Sequence, residues 1–307
     1  MKILVTGASG HFGGTAARLL LERVAPENLI LMSRKPEKLE EFAKLGAKTV
    51  YGDFDDPDSL KEAATGADKM LLISGLKVGY RIKQHGNAIT AARAAGVRHI
   101  IYTSYIGATA ENTALIARDH YGTEELLKES GVNWTALRDG MYMDSMVEAA
   151  APQALKSGRW VSSSRGGRTS FVDRDDCVAC AVEVLTGEGH ENKVYNITGP
   201  DLWSFPMIAD LITEVTGKDI EFVDVSDEDL YAQFDSMGIP REPFKEFNIN
   251  GYAWCSDDMV SYEKALRDGH FEVTSNDVQD LLGRPARDFR SFVLEKGDWL
   301  RQIAAEA

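Results

Sequence analysis

Thr6-Gly7-Ala8-Ser9-Gly10-His11-Phe12-Gly13-Gly14 follows directly on the apolar run Ile3-Leu4-Val5 and opens into a segment carrying Ala16, Leu19 and Leu20. Glycines at 7, 10 and 13 give a G-x-x-G-x-x-G spacing between a strand-like and a helix-like pattern. Such a turn suits a diphosphate, because glycine lets the backbone approach closely and the first amides of the following helix point at negative charge. Gly7, Ser9, Gly10, His11, Phe12 and Gly13 are therefore expected to hold the diphosphate of a dinucleotide.

Outward from this loop, short apolar runs near 2–6, 29–33, 48–51, 69–74, 99–104 and 133–137 alternate with helix-length amphipathic segments, among them 13–23, 58–65, 86–95 and 119–130. That alternation predicts an α/β fold of Rossmann type, a doubly wound parallel sheet with helices on both faces. After Arg138 the pattern is less regular, with strand-like 194–198 and 220–225 around a helical 205–216. Residues 1–150 are expected to form the dinucleotide-binding domain and 151–307 a smaller, mostly helical α/β substrate-binding domain, the chain returning to the main sheet near 168–200.

The 307 residues are 44% hydrophobic and 27% charged, with a formal net charge of −14. An acidic chain repels phosphate backbones and anionic lipid, so neither nucleic acid nor a membrane is an expected partner. A small ligand is. Three cysteines are too few for a disulfide framework, and the start of the chain leaves no room for a secretory leader, which together predict a cytoplasmic protein. Cys177 and Cys180 lie in the small-residue run Cys177-Val178-Ala179-Cys180-Ala181, read as a buried helix rather than a metal or redox site; no metal is expected. A homodimer follows only from base rates.

Where the second strand ends, an acidic residue would accept hydrogen bonds from the adenosine ribose. This chain has Ser33-Arg34-Lys35. A guanidinium there pairs with a 2′-phosphate, so NADPH or NADP is expected over NADH, the alternative being a solvated turn before Pro36. After the third strand, Asp53 and Phe54 are either adenine contacts or surface turn residues.

With these residues in hand, the chain resembles the NmrA-like atypical short-chain dehydrogenase/reductases, whose known members include quinone reductases and triphenylmethane reductase. The resemblance is carried by Thr6–Gly13, Gly52-Asp53, the run 97–104, His120 with Thr123-Glu124, the run 135–142 and the run 189–196. It implies that Ser74 and Gly75 border the cofactor, that Thr103, Ser104 and Tyr105 face the nicotinamide, and that Leu137-Arg138-Asp139-Gly140-Met141-Tyr142 lines the nicotinamide pocket. Relatives usually carry Asn where this chain has Asp139.

Many short-chain dehydrogenases use Tyr-x-x-x-Lys, in which the lysine charge lowers the phenol pKa. None of the ten tyrosines here has lysine four residues later; Tyr121 is followed by Glu125. That absence favours acceptors that take hydride readily, such as quinones, conjugated enones, benzylic ethers and cationic dyes. His120 falls where the related lignan reductases carry a lysine, and is either a proton donor or a histidine bonded into its helix; Tyr105, Tyr121 and Tyr142 are secondary candidates for orienting substrate. Met141, Tyr142, Met143, Met146, Phe171, Trp203, Phe247, Tyr252 and Trp254 form an aromatic and thioether set near the expected cleft. Three functions fit: an NADPH-dependent reductase of aromatic, quinone-like or conjugated small molecules, another enzyme on the same scaffold such as a lignan-type benzylic ether reductase, or a non-catalytic NADP-binding redox sensor.

Overall fold

The computed structural model describes residues 1–246 and 248–307, so Phe247 of the aromatic set lies outside the described residues. Twelve strands are described: β1 Ile3–Val5, β2 Leu29–Ser33, β3 Lys48–Tyr51, β4 Lys69–Leu72, β5 His99–Tyr105, β6 Asn133–Asp139, β7 Met141–Tyr142, β8 Arg159–Ser162, β9 Arg168–Val172, β10 Lys193–Ile197, β11 Leu202–Ser204 and β12 Glu221–Asp224. Seven of them make one parallel sheet in the order β10-β6-β5-β4-β1-β2-β3. The order reverses beside β1, whose neighbours are β2 and β4, and the glycine loop sits at that switch point. Because helices cover both faces, β1 and β2 are buried at every position and read as unbroken apolar runs.

The helices are α1 His11–Leu21, α2 Glu40–Lys44, α3 Pro57–Ala64, α4 Arg81–Ala94, α5 Leu115–Glu129, α6 Ala151–Ser157, α7 Arg174–Thr186, α8 Phe205–Thr216, α9 Asp227–Ser236, α10 Ser256–Arg267, α11 Asp277–Leu282, α12 Phe289–Glu295 and α13 Gly297–Glu306. One sheet face is covered by α1 and α7, through Ala16, Ala17, Leu20, Val178 and Ala181. The opposite face is covered by α3, α4 and α5, through Leu60, Ala63, Ala88, Ala92 and Leu127. A third cluster, around Met143, Trp160, Phe171, Ile208, Ile212 and Phe289, builds the layer over the carboxyl ends of the strands. Cys177 and Cys180 are fully buried on α7, where burial raises both thiols.

Several boundaries differ from those read off the sequence, each for a tertiary reason. Gly86, expected to open a helix, lies inside α4: a Cβ there would meet Leu126 at 3.4 Å, and one on Gly122 would meet Ile82 at 2.6 Å, so both glycines mark the α4–α5 crossing. α5 begins at Leu115, not near 119, because Asn112 Oδ1 accepts from the Ala114 amide and the distant Ser261 hydroxyl accepts from that of Leu115. β4 stops at Leu72, since Thr6 Oγ1 takes the Ile73 amide (2.9 Å) and Thr103 Oγ1 that of Ser74 (2.9 Å). Residue 150 falls in a continuous helical stretch, a π-helical Ser145–Ala150 running into α6, while β10 lies in the main sheet against β6. Two small sheets, β11-β9-β7 and β12-β8, also form; of their strands only β12 was legible in the sequence, at 220–225, because β7, β8, β9 and β11 are two to five residues long.

Gly7 has φ +59°, and a Cβ on Gly13 would sit 2.5 Å from the Gly7 carbonyl oxygen, whereas one on Gly14 would stand 3.5 Å from Ala8. Gly13→Ala is thus expected to destabilise the fold by roughly 1–3 kcal/mol in urea titrations, with Gly14→Ala neutral or mildly stabilising. Equal behaviour of the two variants would reject close packing as the reason for Gly13.

Candidate active site at the carboxyl ends of the strands

The glycine loop leaves β1 with Thr6 tied to β4: its hydroxyl donates to the Leu71 carbonyl (3.1 Å) and accepts from Ile73. Gly10 then caps α1 without any side-chain hydrogen bond, so the first-turn amides stay uncapped at an exposed surface. Ser9, Gly10 and His11 are exposed, while Phe12 and Gly13 are buried where the helix docks. An uncapped helix start with no Cβ at its mouth fits a diphosphate.

Beside it, the Ser9 and Ser33 hydroxyls share a 2.7 Å hydrogen bond, and Ser33 Oγ also accepts from the Lys35 amide. Ser33 is buried and shapes the turn, leaving Arg34 and Lys35 exposed. A groove of about 340 Å³ adjoins, lined by Ser9, Gly10, His11, Arg18, Lys38, Glu41 and others. Arg18 and Lys38 add positive charge that sequence reading missed, and Arg18 is paired with Glu41 at 2.6 Å. Their arrival depends on α1 crossing the turn after β2, which no local pattern announces. Asp53 accepts from the Asp55 amide and Phe54 stands edge-on to His85 at 5.8 Å, with its carbonyl accepting from Asn87.

The segment after β4 is held from beneath by α4. The Gly75 amide donates to His85 Nε2 (2.9 Å), and His85 Nδ1 meets the Thr123 hydroxyl (2.9 Å), which itself donates to the Asp119 carbonyl. Nε2 therefore acts as acceptor and Nδ1 carries the proton. Burial, aided by Arg81, pushes the His85 pKa down to about 3, consistent with a neutral ring. Arg81 Nε donates to the Gly75 carbonyl (2.6 Å) and Asp119 accepts from the Gly79 amide (2.6 Å). Neither Arg81 nor His85 was singled out from the sequence. The available signal was their i, i+4 spacing in register with buried Ala88, Ile89 and Ala92, two polar residues on an apolar stripe.

His120 is buried, its Nδ1 sharing a 2.8 Å hydrogen bond with the Tyr102 hydroxyl. Burial, then Arg81 and His85, hold it well below the ordinary histidine range. Thr103 and Ser104 are also buried and their hydroxyls do not face outward: Thr103 holds the Ser74 amide, and Ser104 donates to Glu124 (2.6 Å). Glu124 is fully buried and accepts both arms of Arg138, at 2.8 and 2.7 Å, which locks α5 to β6. Tyr105 donates to Tyr262 (3.2 Å) and packs edge-on to Phe271. Tyr121 is half-buried on α5.

At the end of β6, Tyr142 donates to Asp139 Oδ2 (2.8 Å) and lies under the Arg174 guanidinium at 4.7 Å. Asp139 Oδ1 is buried without a partner among the described residues. Of the aromatic and thioether set, Met143, Met146 and Phe171 are core residues, Met141 accepts from Tyr262, Tyr142, Trp203 and Tyr252 are half-buried, and Trp254 lines a small cleft beside Arg81.

Burial raises the Asp139 carboxyl from 3.8 to about 7 against the lowering effect of Tyr142. The folded state then binds more protons than the unfolded state between about pH 4 and pH 7, so stability falls as pH rises through that window and the full penalty applies above it. Asp139→Asn should raise the melting temperature at pH 8, by the equivalent of roughly 2–4 kcal/mol, with the gain vanishing toward pH 4. A gain independent of pH would contradict a buried, ionising carboxyl.

A family of NAD(P)H-binding proteins matches residues 7–188. NAD(P)H azoreductase of Xenophilus azovorans is 31% identical over 291 residues, 94% of this chain and 96% of that protein. The crystal structure of the NADPH-dependent quinone oxidoreductase of Escherichia coli complexed with NADPH gives a TM-score of 0.85 at 31% identity, over 97% of this chain and 99% of that one. The triphenylmethane reductase of Citrobacter sp. complexed with NADP(H) gives 0.82 at 31% identity, over 97% and 100%. Among the described residues no helix is long and apolar enough to cross a membrane. The chain belongs to the NAD(P)H-binding family, as an oxidoreductase whose relatives include an NmrA-like oxidoreductase of Aspergillus flavus.

Proposed function

We propose that this protein is an NADPH-dependent reductase that delivers hydride to an aromatic, quinone-like or conjugated small molecule. The observation that carries the reading is the uncapped start of α1 at the switch point of the sheet, with exposed Arg34 and Lys35 at the neighbouring strand end. The amides of His11, Phe12 and Gly13 would hold the diphosphate, and Arg34 with Lys35 the 2′-phosphate, a role in which Lys38 and Arg18 can assist from the adjoining groove. Bound NADPH supplies a hydride, two electrons with one proton's mass, to the acceptor.

The protein's own residues then have a limited task. Thr6, Thr103, His85 and Arg81 fix the backbone from Ile73 to Gly75. A fixed edge orients the acceptor over the cofactor and costs no reorganisation at the moment of reaction. No phenol here is activated by a lysine at the usual spacing, and burial raises Tyr105 and Tyr142 well above the ordinary phenol range. Reduction of a quinone fits such a site, since hydride addition leaves a delocalised hydroquinone anion that takes its second proton from water.

Rapid mixing of the protein and NADPH with quinones, enones, azo compounds and triarylmethane dyes should give loss of nicotinamide absorbance with at least one class. Tight NADPH binding with no turnover on any member would favour the redox-sensor function instead. Arg34→Ala should weaken NADPH binding roughly tenfold to a hundredfold and leave NADH binding nearly unchanged, measured by calorimetry. Equal loss for the two cofactors would reject the 2′-phosphate role.

A further inference from the structure

The groove of about 340 Å³ beside the glycine loop runs from the start of α1 to the residues that follow the turn after β2. The Ser9–Ser33 hydroxyl bond ties its loop wall to the end of β2, and the Lys38 amide donates to the Lys35 carbonyl (3.0 Å), which places Lys38 one turn beyond Arg34 and Lys35. The ionisable side chains lining the groove are His11, Arg18, Lys38 and Glu41. Glu41 is the one carboxylate among them and comes from α2. Its neighbour Glu40 is engaged elsewhere, with Lys44 at 2.8 Å.

Arg18 reaches the groove from α1. Its Nη2 donates to Glu41 Oε1 (2.6 Å), its guanidinium lies over the Phe42 ring at 5.5 Å, and a Cβ on Gly14 would stand 3.7 Å from its Nη1. The cation thus lies back against the first turn of α1, where the diphosphate is proposed to sit. The Arg18 and Glu41 side chains are 60% and 56% exposed, so both charges are open to a ligand in the groove. An ion pair that exposed is weak and readily exchanged.

In folds of this class the end of β2 normally offers a carboxylate to the hydroxyls of the adenosine ribose. This chain has Ser33-Arg34-Lys35 there, and the tertiary structure brings an acid to the same groove from α2 instead. A neutral ribose leaves the Arg18–Glu41 pair intact, and Glu41 can accept from its hydroxyl through Oε2, since Arg18 uses only Oε1. A 2′-phosphate is drawn to Arg18 and repelled by Glu41, so it competes with that carboxylate for one guanidinium. Lys38 adds to the phosphate's side of the balance, and the His11 ring can donate to a phosphate or a hydroxyl alike.

We infer that Glu41 is a specificity-determining residue: it restrains the preference for NADPH by competing with the 2′-phosphate for Arg18, and it admits NADH by accepting from the bare ribose. The inference deepens the cofactor reading above and rests on it, because Glu41 has nothing to discriminate unless a dinucleotide occupies the groove.

Calorimetry of the full chain with NADP⁺ and NAD⁺ tests it, together with adenosine 2′,5′-bisphosphate and adenosine 5′-monophosphate, which lack the nicotinamide end. Glu41→Gln, which keeps the size of the side chain and an acceptor oxygen, should raise the NADP⁺-to-NAD⁺ affinity ratio about threefold to tenfold, mainly through tighter NADP⁺. The bisphosphate-to-monophosphate ratio should move with it, and concentrated salt should shrink both shifts. Arg18→Gln should lower the ratio by a similar factor, and in that background Glu41→Gln should shift it less than it does alone. An unchanged ratio in Glu41→Gln, or an equal change for both dinucleotides, overturns the inference. So does full additivity of the two substitutions, which removes the competition for Arg18, and so does a natural chain that binds NADP⁺ but no NAD⁺ at millimolar concentration. Each of these outcomes leaves the NADPH reading standing. Binding of neither dinucleotide would sink that reading, and the role of Glu41 with it.

Discussion

The contact between α1 and the loop that precedes it constrains everything above it. Gly13 lies so close to the Gly7 carbonyl that no larger residue fits, and Gly7 needs a left-handed backbone to send the chain from β1 into the helix. This docking aims the helix start along the switch point of the sheet. It also leaves the capping position to glycine, so the first-turn amides have no partner within the chain. An anion-binding geometry is thus a by-product of how a helix and a strand can be brought together.

A second level of order comes from polar residues buried under the strand ends. His85, Arg81, Asp119 and Thr103 each hold a backbone group between Ser74 and Gly79, and the Arg138–Glu124–Ser104 network joins α5 to β5 and β6. These bonds replace the ladder hydrogen bonds that β4 gives up after Leu72. They also explain why several residues that resembled cofactor or proton-transfer groups are turned inward. Thr103 holds the Ser74 amide, Ser104 bonds Glu124 and His120 bonds Tyr102, and burial lowers the pKa of both His85 and His120. A site with neutral supports and high-pKa phenols has little acid strength, which is the electrostatic side of the proposed preference for acceptors that need none.

Charge in this acidic chain is accordingly local. Arg34 and Lys35 stand exposed where a phosphate would approach, while Arg81, Asp258 and Asp139 are carried inward to positions where each retains an unmatched atom. In Asp139 that imbalance is a stability cost.

The order of strands and helices through β6, the glycine turn after β1 and the basic turn at Arg34 were legible in the sequence, because apolar period and glycine position are local properties. The burial of His120 and Ser104, the start of α5 at a hydroxyl from Ser261, the presence of Gly86 inside α4 and the short strands β7, β8, β9 and β11 were not. Each depends on groups far apart in the chain, and a hydrogen-bond partner more than a hundred residues away leaves no mark on local pattern. By itself the sequence determined the alternation of strands and helices through β6 and the glycine turn that joins β1 to α1. Only the tertiary structure decided which side chains face the cleft and which are drawn beneath it, since that choice is set by packing and desolvation between distant segments.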